Sequence, residues 1–245
     1  MPGIEAPGSV NWPSGPGRAS DVFSQSFPFH AGRSWGRTAA RVTDSVRALP
    51  HVFASLIINM TFEQLGLSQP ILQALGMKNY NTPTPIQAQA IPLVLEGRDL
   101  LGIAQTGTGK TAAFGLPMLT RLLADGTRPR AGHCRALILA PTRELAIQIH
   151  KDAVALARHT PLRVAVVYGG MDYGKQQAEL ARNQVDLVVA TPGRLLDFKS
   201  KHVLTLSRVE ALVIDEADRM LDMGFIPDVR RIVYSLPPKH KRQTM

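Results

Sequence analysis

The sequence predicts an α/β fold in which a parallel sheet is flanked by helices, and three observations lead to this prediction. Short apolar runs alternate with longer amphipathic stretches from Asp99 onward. The runs lack the polar alternation of half-exposed strands, as expected for strands that are buried on both faces. Strands that alternate with helices form βαβ units with right-handed crossovers, and such units build a parallel sheet.

The predicted strands are rich in Leu, Ile, Val and Ala and lie at 99–103, 136–140, 164–168, 187–190 and 211–214. Helices are predicted between them at 111–123, 143–158, 174–181 and 194–199, and before them at 68–75 and 85–95. Pro85 suits the first turn of its helix. Ligands bind at the carboxyl ends of the strands in such a sheet, so the residues after each strand are the candidates for a site.

Composition narrows the class of protein. The 245 residues include 28 Lys+Arg and 19 Asp+Glu, a net charge of +9 that indicates a polyanionic partner. A hydrophobic content of 44% excludes a wholly disordered chain. No run approaches the ~18 apolar residues of a membrane span, so no membrane partner is expected. The single Cys134 excludes an internal disulfide framework and favours a reducing compartment, and we expect a cytoplasmic protein.

The first 59 residues differ in composition from the rest. They are rich in Gly, Pro, Ser and Arg, contain no Lys and hold both tryptophans, Trp12 and Trp35. No helical or strand period persists in them, which predicts a disordered N-terminal tail. An alternative is that residues 1–59 are a spurious extension and that Met60 is the true start. The segment carries +2 of the total charge of +9, so +7 belongs to residues 60–245.

A phosphate-binding loop follows the first predicted strand. Its pattern is G-x-x-x-x-G-K-[ST] with alanine in place of the first glycine, and its residues are Ala104, Gln105, Thr106, Gly107, Thr108, Gly109, Lys110 and Thr111. The glycines allow a tight turn whose N–H groups face phosphate oxygens, and the following helix adds its N-terminal dipole. Lys110 is predicted to reach the β- and γ-phosphates, and the Thr111 hydroxyl to bind Mg²⁺.

An acidic motif follows the last predicted strand, where Asp215, Glu216, Ala217 and Asp218 occur in succession. A carboxylate at the end of a buried strand lies at the same edge as the phosphate loop. Asp215 is predicted to hold Mg²⁺, directly or through water, and Glu216 to act as the general base for the attacking water. Asp218 is predicted to turn back toward the site. A helix N-cap would explain Asp215 equally well if the motif stood alone.

Further motifs complete a resemblance. Thr82–Gln87 reads TPTPIQ, Pro141–Leu145 reads PTREL, Gly169 and Gly170 are adjacent, and Thr191–Arg194 reads TPGR. Together with Phe62, the phosphate loop and the acidic motif, these stand in the order found in DEAD-box RNA helicases. Residues 62–245 therefore resemble the first RecA-like domain of that family, most like its bacterial RhlE-type members. The resemblance divides the chain into a Q-motif region at 60–88 and a RecA-like ATP-binding domain at 89–245.

The resemblance implies ATP and Mg²⁺ as cofactors and an ATP-dependent RNA helicase activity. Gln87 corresponds to the glutamine that recognises adenine, since a side-chain amide matches the donor and acceptor of the adenine edge. Phe62 resembles the aromatic residue near the base, and Tyr80 lies just upstream of the glutamine. The alternative for Phe62 is an ordinary core residue that anchors the first helix.

The resemblance also implies binding to single-stranded or duplex RNA through its phosphate backbone, without sequence preference. The corresponding positions are Pro141, Thr142, Arg143, Gly169, Gly170, Thr191, Pro192, Gly193 and Arg194. Glycines let a phosphate approach backbone N–H groups, and Arg and Thr supply charge and hydroxyl donors. Gly169 and Gly170 could also form a plain turn, and Arg143 could simply pair with an acid.

Members of the family continue beyond the position of Met245 into a Ser-Ala-Thr motif and a second RecA-like domain that carries arginine fingers. We therefore expect a fragment that binds nucleotide weakly and is nearly inactive alone, because such arginines contribute ~10³–10⁵ in rate in related NTPases. Two other functions are considered: a nucleotide- or RNA-binding module that does not hydrolyse ATP, and a small-molecule kinase. The kinase leaves Gln87 and the PTREL and TPGR motifs without a role.

Overall fold

The computed structural model describes residues 40–43, 60–105 and 107–245, and a parallel sheet of five strands forms its centre. In spatial order these strands are β4 (Val164–Val167), β5 (Leu187–Ala190), β3 (Ala136–Leu139), β6 (Ala211–Ile214) and β7 (Gln243–Thr244). Ala136 of β3 aligns with Leu187 on one side and Ala211 on the other. Both central apolar runs, β3 and β5, are buried throughout, which confirms the predicted parallel sheet.

The strand that leads into the phosphate loop is separate from this ladder. This strand, β2 (Leu100–Ile103), pairs in parallel with β1 (Ala40–Thr43), which lies inside the segment predicted as a tail. Side chains link its start to β7: Asp99 Oδ1 accepts the Thr244 N–H at 2.8 Å, and Gln243 Nε2 donates to Arg98 O. The rest of residues 1–59 lies outside the described residues.

Eight α-helices are present in the described part of the chain. They are α1 (Gln69–Met77), α2 (Pro85–Leu95), α3 (Lys110–Asp125), α4 (Arg143–Leu156), α5 (Tyr173–Arg182), α6 (Pro192–Ser200), α7 (Ala217–Asp222) and α8 (Ile226–Tyr234). Short 3₁₀ helices lie at Phe62–Leu65 and Lys239–Lys241. The first six α-helices match predicted ones to within two residues or so at most ends.

The structure also contains α7, α8 and β7, which the hydrophobic periodicity of the sequence did not predict. α7 is only six residues long, too short for a helical period to be seen. α8 does carry a signal, since Val229 and Ile232 are three residues apart and both are buried. Of these elements, β7 extends the sheet beyond β6.

The hydrophobic core lies between α3 and the sheet. Leu116 and Leu119 of α3 are fully buried and belong to one cluster with Ile138, Val189 and Val213 of the strands. Each such side chain contributes about 1.5–3 kcal/mol when it leaves water. α3 is therefore fixed to the sheet, and its N-terminus is held at the carboxyl edge of the strands. None of the helices in the described part of the chain has both the length and the apolar character that a bilayer span requires.

Candidate functional site

The phosphate loop joins β2 to α3 and presents a helix N-terminus. Gly107 and Gly109 have φ of 84° and 90°, left-handed values that favour glycine. α3 begins at Lys110 and runs for 16 residues, so its dipole and free N–H groups favour an anion at this end. Lys110 Nζ donates to Ala104 O at 2.8 Å, and Thr108 Oγ1 donates to Gln105 O at 2.8 Å. Thr106, also predicted for this loop, lies outside the described residues.

Side chains at the N-terminus of α2 form hydrogen bonds to this loop. Thr84 Oγ1 donates to Thr108 O at 2.9 Å, and Gln87 Nε2 donates to Gly109 O at 3.1 Å. Gln87 Oε1 also accepts the Thr84 N–H at 3.0 Å, so the same amide caps its own helix. A Cβ at position 109 would lie 2.3 Å from Gln87 Nε2, so this close contact requires glycine. Gln87 therefore connects the TPTPIQ segment to the phosphate loop, a contact that sequence reasoning missed.

The two predicted aromatic residues lie in different surroundings. Tyr80 is 44% exposed and lines the same cleft as Gln87 and the phosphate loop. Phe62 is 2% exposed, belongs to the main core cluster and is not among the residues lining the cleft. Phe62 thus packs as a core residue, whereas Tyr80 lines the cleft.

The acidic motif faces the loop from the end of β6. Asp215 is 9% exposed, and its Oδ1 accepts the Glu216 N–H at 3.0 Å. Burial raises the pKa of Asp215, an effect that the Lys110 charge opposes and the neighbouring Glu216 and Asp218 charges reinforce. A buried carboxylate is suited to holding a cation, and the nearby ammonium group is suited to binding a phosphate.

Glu216 adopts a left-handed backbone, with φ and ψ both 50°, at the N-cap of α7. Its Oε2 is buried without a hydrogen bond in the described residues, although the Arg219 guanidinium lies 3.5 Å away. Asp218 is exposed and accepts the Arg219 N–H at 2.9 Å. It does not line the cleft, so the structure groups Asp215 and Glu216 with the loop and leaves Asp218 outside.

These groups enclose a cleft of about 510 Å³, within the usual size of a small-ligand site, ~300–1,000 Å³. Among the described residues, no three His, Cys, Asp or Glu side chains converge as a metal cage. Mg²⁺ commonly binds through one or two carboxylates together with substrate phosphates and water. Asp215 and Thr111, which both line the cleft, fit that pattern.

The residues predicted to contact RNA lie at the carboxyl ends of β3, β4 and β5. Thr142 caps α4 by accepting the Leu145 N–H at 3.2 Å, and Arg143 starts that helix beside Glu144, with Nε 2.8 Å from Oε1. Gly170 has φ of 83°, and a Cβ there would lie 3.3 Å from Arg143 Nη1. Arg143 and the glycine pair are thus brought together.

The TPGR motif forms the start of α6. Thr191 is the N-cap, its N–H donates to Val167 O at 3.0 Å, and Pro192 occupies the first turn. Arg194 Nη1 donates to Met171 O at 3.4 Å, which places this arginine over the turn that contains Gly169 and Gly170. Buried Pro141 and exposed Gly193 complete the predicted set along the same edge.

Comparison with known proteins agrees with this geometry. Residues 84–245 match the model of the DEAD/DEAH box helicase family. The chain is similar to the ATP-dependent RNA helicase RhlB of Pseudomonas aeruginosa, with 49% identity over 186 residues covering 75% of this chain and 47% of the relative. The RhlB proteins of Pseudomonas putida and Xanthomonas axonopodis pv. citri are 50% and 47% identical, and the chain covers 47% and 34% of their lengths.

The chain therefore spans about half or less of the length of the curated relatives it matches. The names of these relatives carry the RhlB designation, whereas the motifs pointed to RhlE-type members. Family membership is the same in either case.

Proposed function

The chain belongs to the DEAD/DEAH box helicase family, and from that premise we propose that it is the ATP-binding part of an RNA-dependent ATPase that separates RNA strands. One observation carries the proposal. The phosphate loop is hydrogen-bonded to Gln87, and it lines one cleft together with Gln87, Asp215 and Glu216. The RNA-contact motifs lie along the same edge of the sheet.

Each group in the cleft has a chemical role in this proposal. The N–H groups around Gly107 and Gly109 and the Lys110 ammonium bind phosphate oxygens. Thr111 and Asp215 would hold Mg²⁺, which when bound neutralises charge on the β- and γ-phosphates. Tyr80 offers a ring to the base. Gln87 keeps one amide proton and one carbonyl lone pair beyond its two protein contacts, which suffice for an adenine edge.

Glu216 supplies the proton chemistry. Its carboxylate takes a proton from water as the water oxygen bonds to the γ-phosphorus, and the bond between that phosphorus and the β,γ-bridging oxygen breaks. ADP and phosphate are the products. The Glu216 Oε2 makes no hydrogen bond among the described residues and lies 3.5 Å from the Arg219 guanidinium, so it retains a lone pair for that proton.

Arg143, Arg194, Thr191 and the Gly169–Gly170 turn bind the RNA backbone in this proposal. Phosphate contacts carry no base information, so RNAs of different sequence should bind alike. The non-hydrolysing binding module remains the alternative for the chain on its own, and a turnover measurement separates the two.

Titration calorimetry with ADP and ATP in Mg²⁺ tests the nucleotide site. Lys110→Ala should weaken binding about tenfold or more, since hydrogen bonds to charged groups contribute about 1.5–3 kcal/mol. Lys151→Ala, which removes an exposed lysine of α4, should leave binding unchanged. Equal affinity of the Lys110→Ala and Lys151→Ala variants would rule out the proposed site.

A second assay addresses hydrolysis and RNA. Phosphate release is measured with and without single-stranded RNA, for the chain and for Glu216→Gln. RNA-stimulated release that the substitution abolishes, even at the low rate expected of the fragment, supports the ATPase, whereas tight nucleotide and RNA binding without any release supports the binding module.

A further inference from the structure

The predicted RNA contacts converge on one turn, residues 168–172, between β4 and α5. The Arg143 guanidinium lies against Gly170, Arg194 donates to Met171 O, and Thr191 donates to Val167 O at the start of the turn. The conformation of this turn therefore sets the spacing of all three groups. The residues that fix the turn come from the first turn of α5.

Gln176 holds the turn from behind. It is 1% exposed, its Oε1 accepts the Tyr168 N–H at 3.0 Å, and its Nε2 donates to Tyr168 O at 3.1 Å. β4 is an edge strand whose paired register ends at Val167, so the Gln176 amide takes the place of a neighbouring strand for the next residue. Tyr168 is thereby fixed just before the glycine pair.

Tyr173 holds the arginine. The Arg194 guanidinium carbon lies 5.5 Å from the Tyr173 ring centroid and 5.8 Å from that of Phe198. The two rings meet edge to face, with centroids 4.7 Å apart, and Phe198 is fully buried. Lys201 Nζ lies 4.4 Å from the Tyr173 centroid and is tied to Asp197 at 2.9 Å. The ring is thus fixed by its own neighbours and forms a rigid support for Arg194.

We propose that the first turn of α5 is a positioning element of the RNA site, in which Tyr173 orients Arg194 and Gln176 orients the Gly169–Gly170 turn. The inference rests on the proposed RNA binding and extends it to two residues outside the helicase motifs. Neither side chain touches RNA; both act through residues that do. A flexible arginine loses rotamer freedom on binding phosphate, and a support that restricts it beforehand lowers that cost.

A matched pair of variants tests the Tyr173 contact. Tyr173→Phe keeps the ring that faces Arg194 and removes only the hydroxyl, so it should keep wild-type RNA affinity. Tyr173→Leu removes the ring face and should weaken binding of a labelled single-stranded RNA about threefold, the size of one cation–π contact. Fluorescence anisotropy at low salt measures the RNA affinity, and ADP affinity, measured in parallel, should not change.

A double-mutant cycle separates positioning from a general structural effect. Arg194→Gln should weaken RNA binding by itself, and Tyr173→Leu should then cost nothing further, because its effect passes through Arg194. The same threefold loss in both backgrounds would overturn the proposal. For the second contact, Gln176→Met should weaken RNA binding, whereas Gln177→Met, at an exposed position next to it, should not.

The possible outcomes are distinguishable. If the wild-type chain binds RNA and neither Tyr173→Leu nor Gln176→Met changes the affinity, this inference is wrong and the proposed function stands. Absence of RNA binding by the wild-type chain would overturn both. Should Gln176→Met unfold the protein, the Tyr173 pair and the cycle decide the result.

Discussion

Two buried charged groups lie at opposite ends of the central strands and are held in opposite ways. Arg135, just before β3, is 3% exposed and donates five hydrogen bonds, to Asp125, to both oxygens of Glu210, and to the carbonyls of Leu122 and Thr127. Asp215, just after β6, is 9% exposed and accepts the N–H of its neighbour Glu216. The arginine uses every donor it has, whereas the aspartate keeps acceptor capacity.

This difference distinguishes a charge that is fully used by the fold from one that can still bind a ligand. A buried ion with all its hydrogen bonds made is fixed in place and has nothing left to bind. A buried carboxylate with free lone pairs and a raised pKa is costly to the fold and available to a cation. At one end of the sheet the charge of Arg135 is used by the fold, and at the other end the charge of Asp215 is available to a cation.

Substitution of Arg135 should change the stability of the fold more than any other change considered. Arg135→Met keeps the length of the side chain but leaves two carbonyls without donors, and should lower the free energy of unfolding by about 3 kcal/mol. Urea unfolding measures this change. Arg128→Met, at an exposed position, should stay within about 0.5 kcal/mol of the wild type. Equal stabilities of the two variants would show that the Arg135 charge does not stabilise the fold.

At the other end, Asp215→Asn should weaken ligand binding without weakening the fold. We expect Mg²⁺-dependent nucleotide affinity to fall by roughly 10–100-fold, the usual effect of altering a group that directly or indirectly holds a metal. Stability at neutral pH should rise, because burial raises the pKa of Asp215 and so penalises its charged form in the folded state. Calorimetry and urea unfolding of the same samples check both expectations.

The pH dependence of that stability difference follows from the sign of the shift. A carboxyl group with a raised folded pKa destabilises the fold fully above that pKa, and not at all below its unfolded value, near 3.8. The advantage of the Asn variant should therefore shrink as the pH falls through this window. A constant advantage down to acid pH would mean that charge burial is not its cause.

The parallel sheet and the phosphate loop were predictable because both depend on local sequence. Apolar runs such as Ala136–Leu139 indicate buried strands, and Gly107 and Gly109 before Lys110 indicate the phosphate loop. The contact between Gln87 and Gly109 was not predictable, because it joins α2 to a loop 22 residues later through tertiary packing. The burial of Arg135 was not predictable from its charge, because its partners Asp125 and Glu210 come from the end of α3 and from just before β6.

The residues at left-handed backbone positions also differ between the two ends of the sheet, and this difference should affect stability only slightly. Near Arg135 the left-handed positions are occupied by glycines, Gly126 and Gly132, with φ of 64° and 72°, whereas beside Asp215 the left-handed position holds Glu216 with φ of 50°. A non-glycine residue there costs about 1–2 kcal/mol, which a fold would retain only for the sake of the side chain.

Glu216→Gly should therefore be more stable than Glu216→Ala by about 1 kcal/mol, after allowance for the greater chain entropy of glycine. Both variants lack the carboxylate and share any loss of hydrolysis, so the difference between them isolates the backbone. Urea unfolding of the pair provides the measurement. Equal stabilities would show that the acidic motif stores no backbone strain, and the two ends of the sheet would then differ only in how their buried charges are hydrogen-bonded.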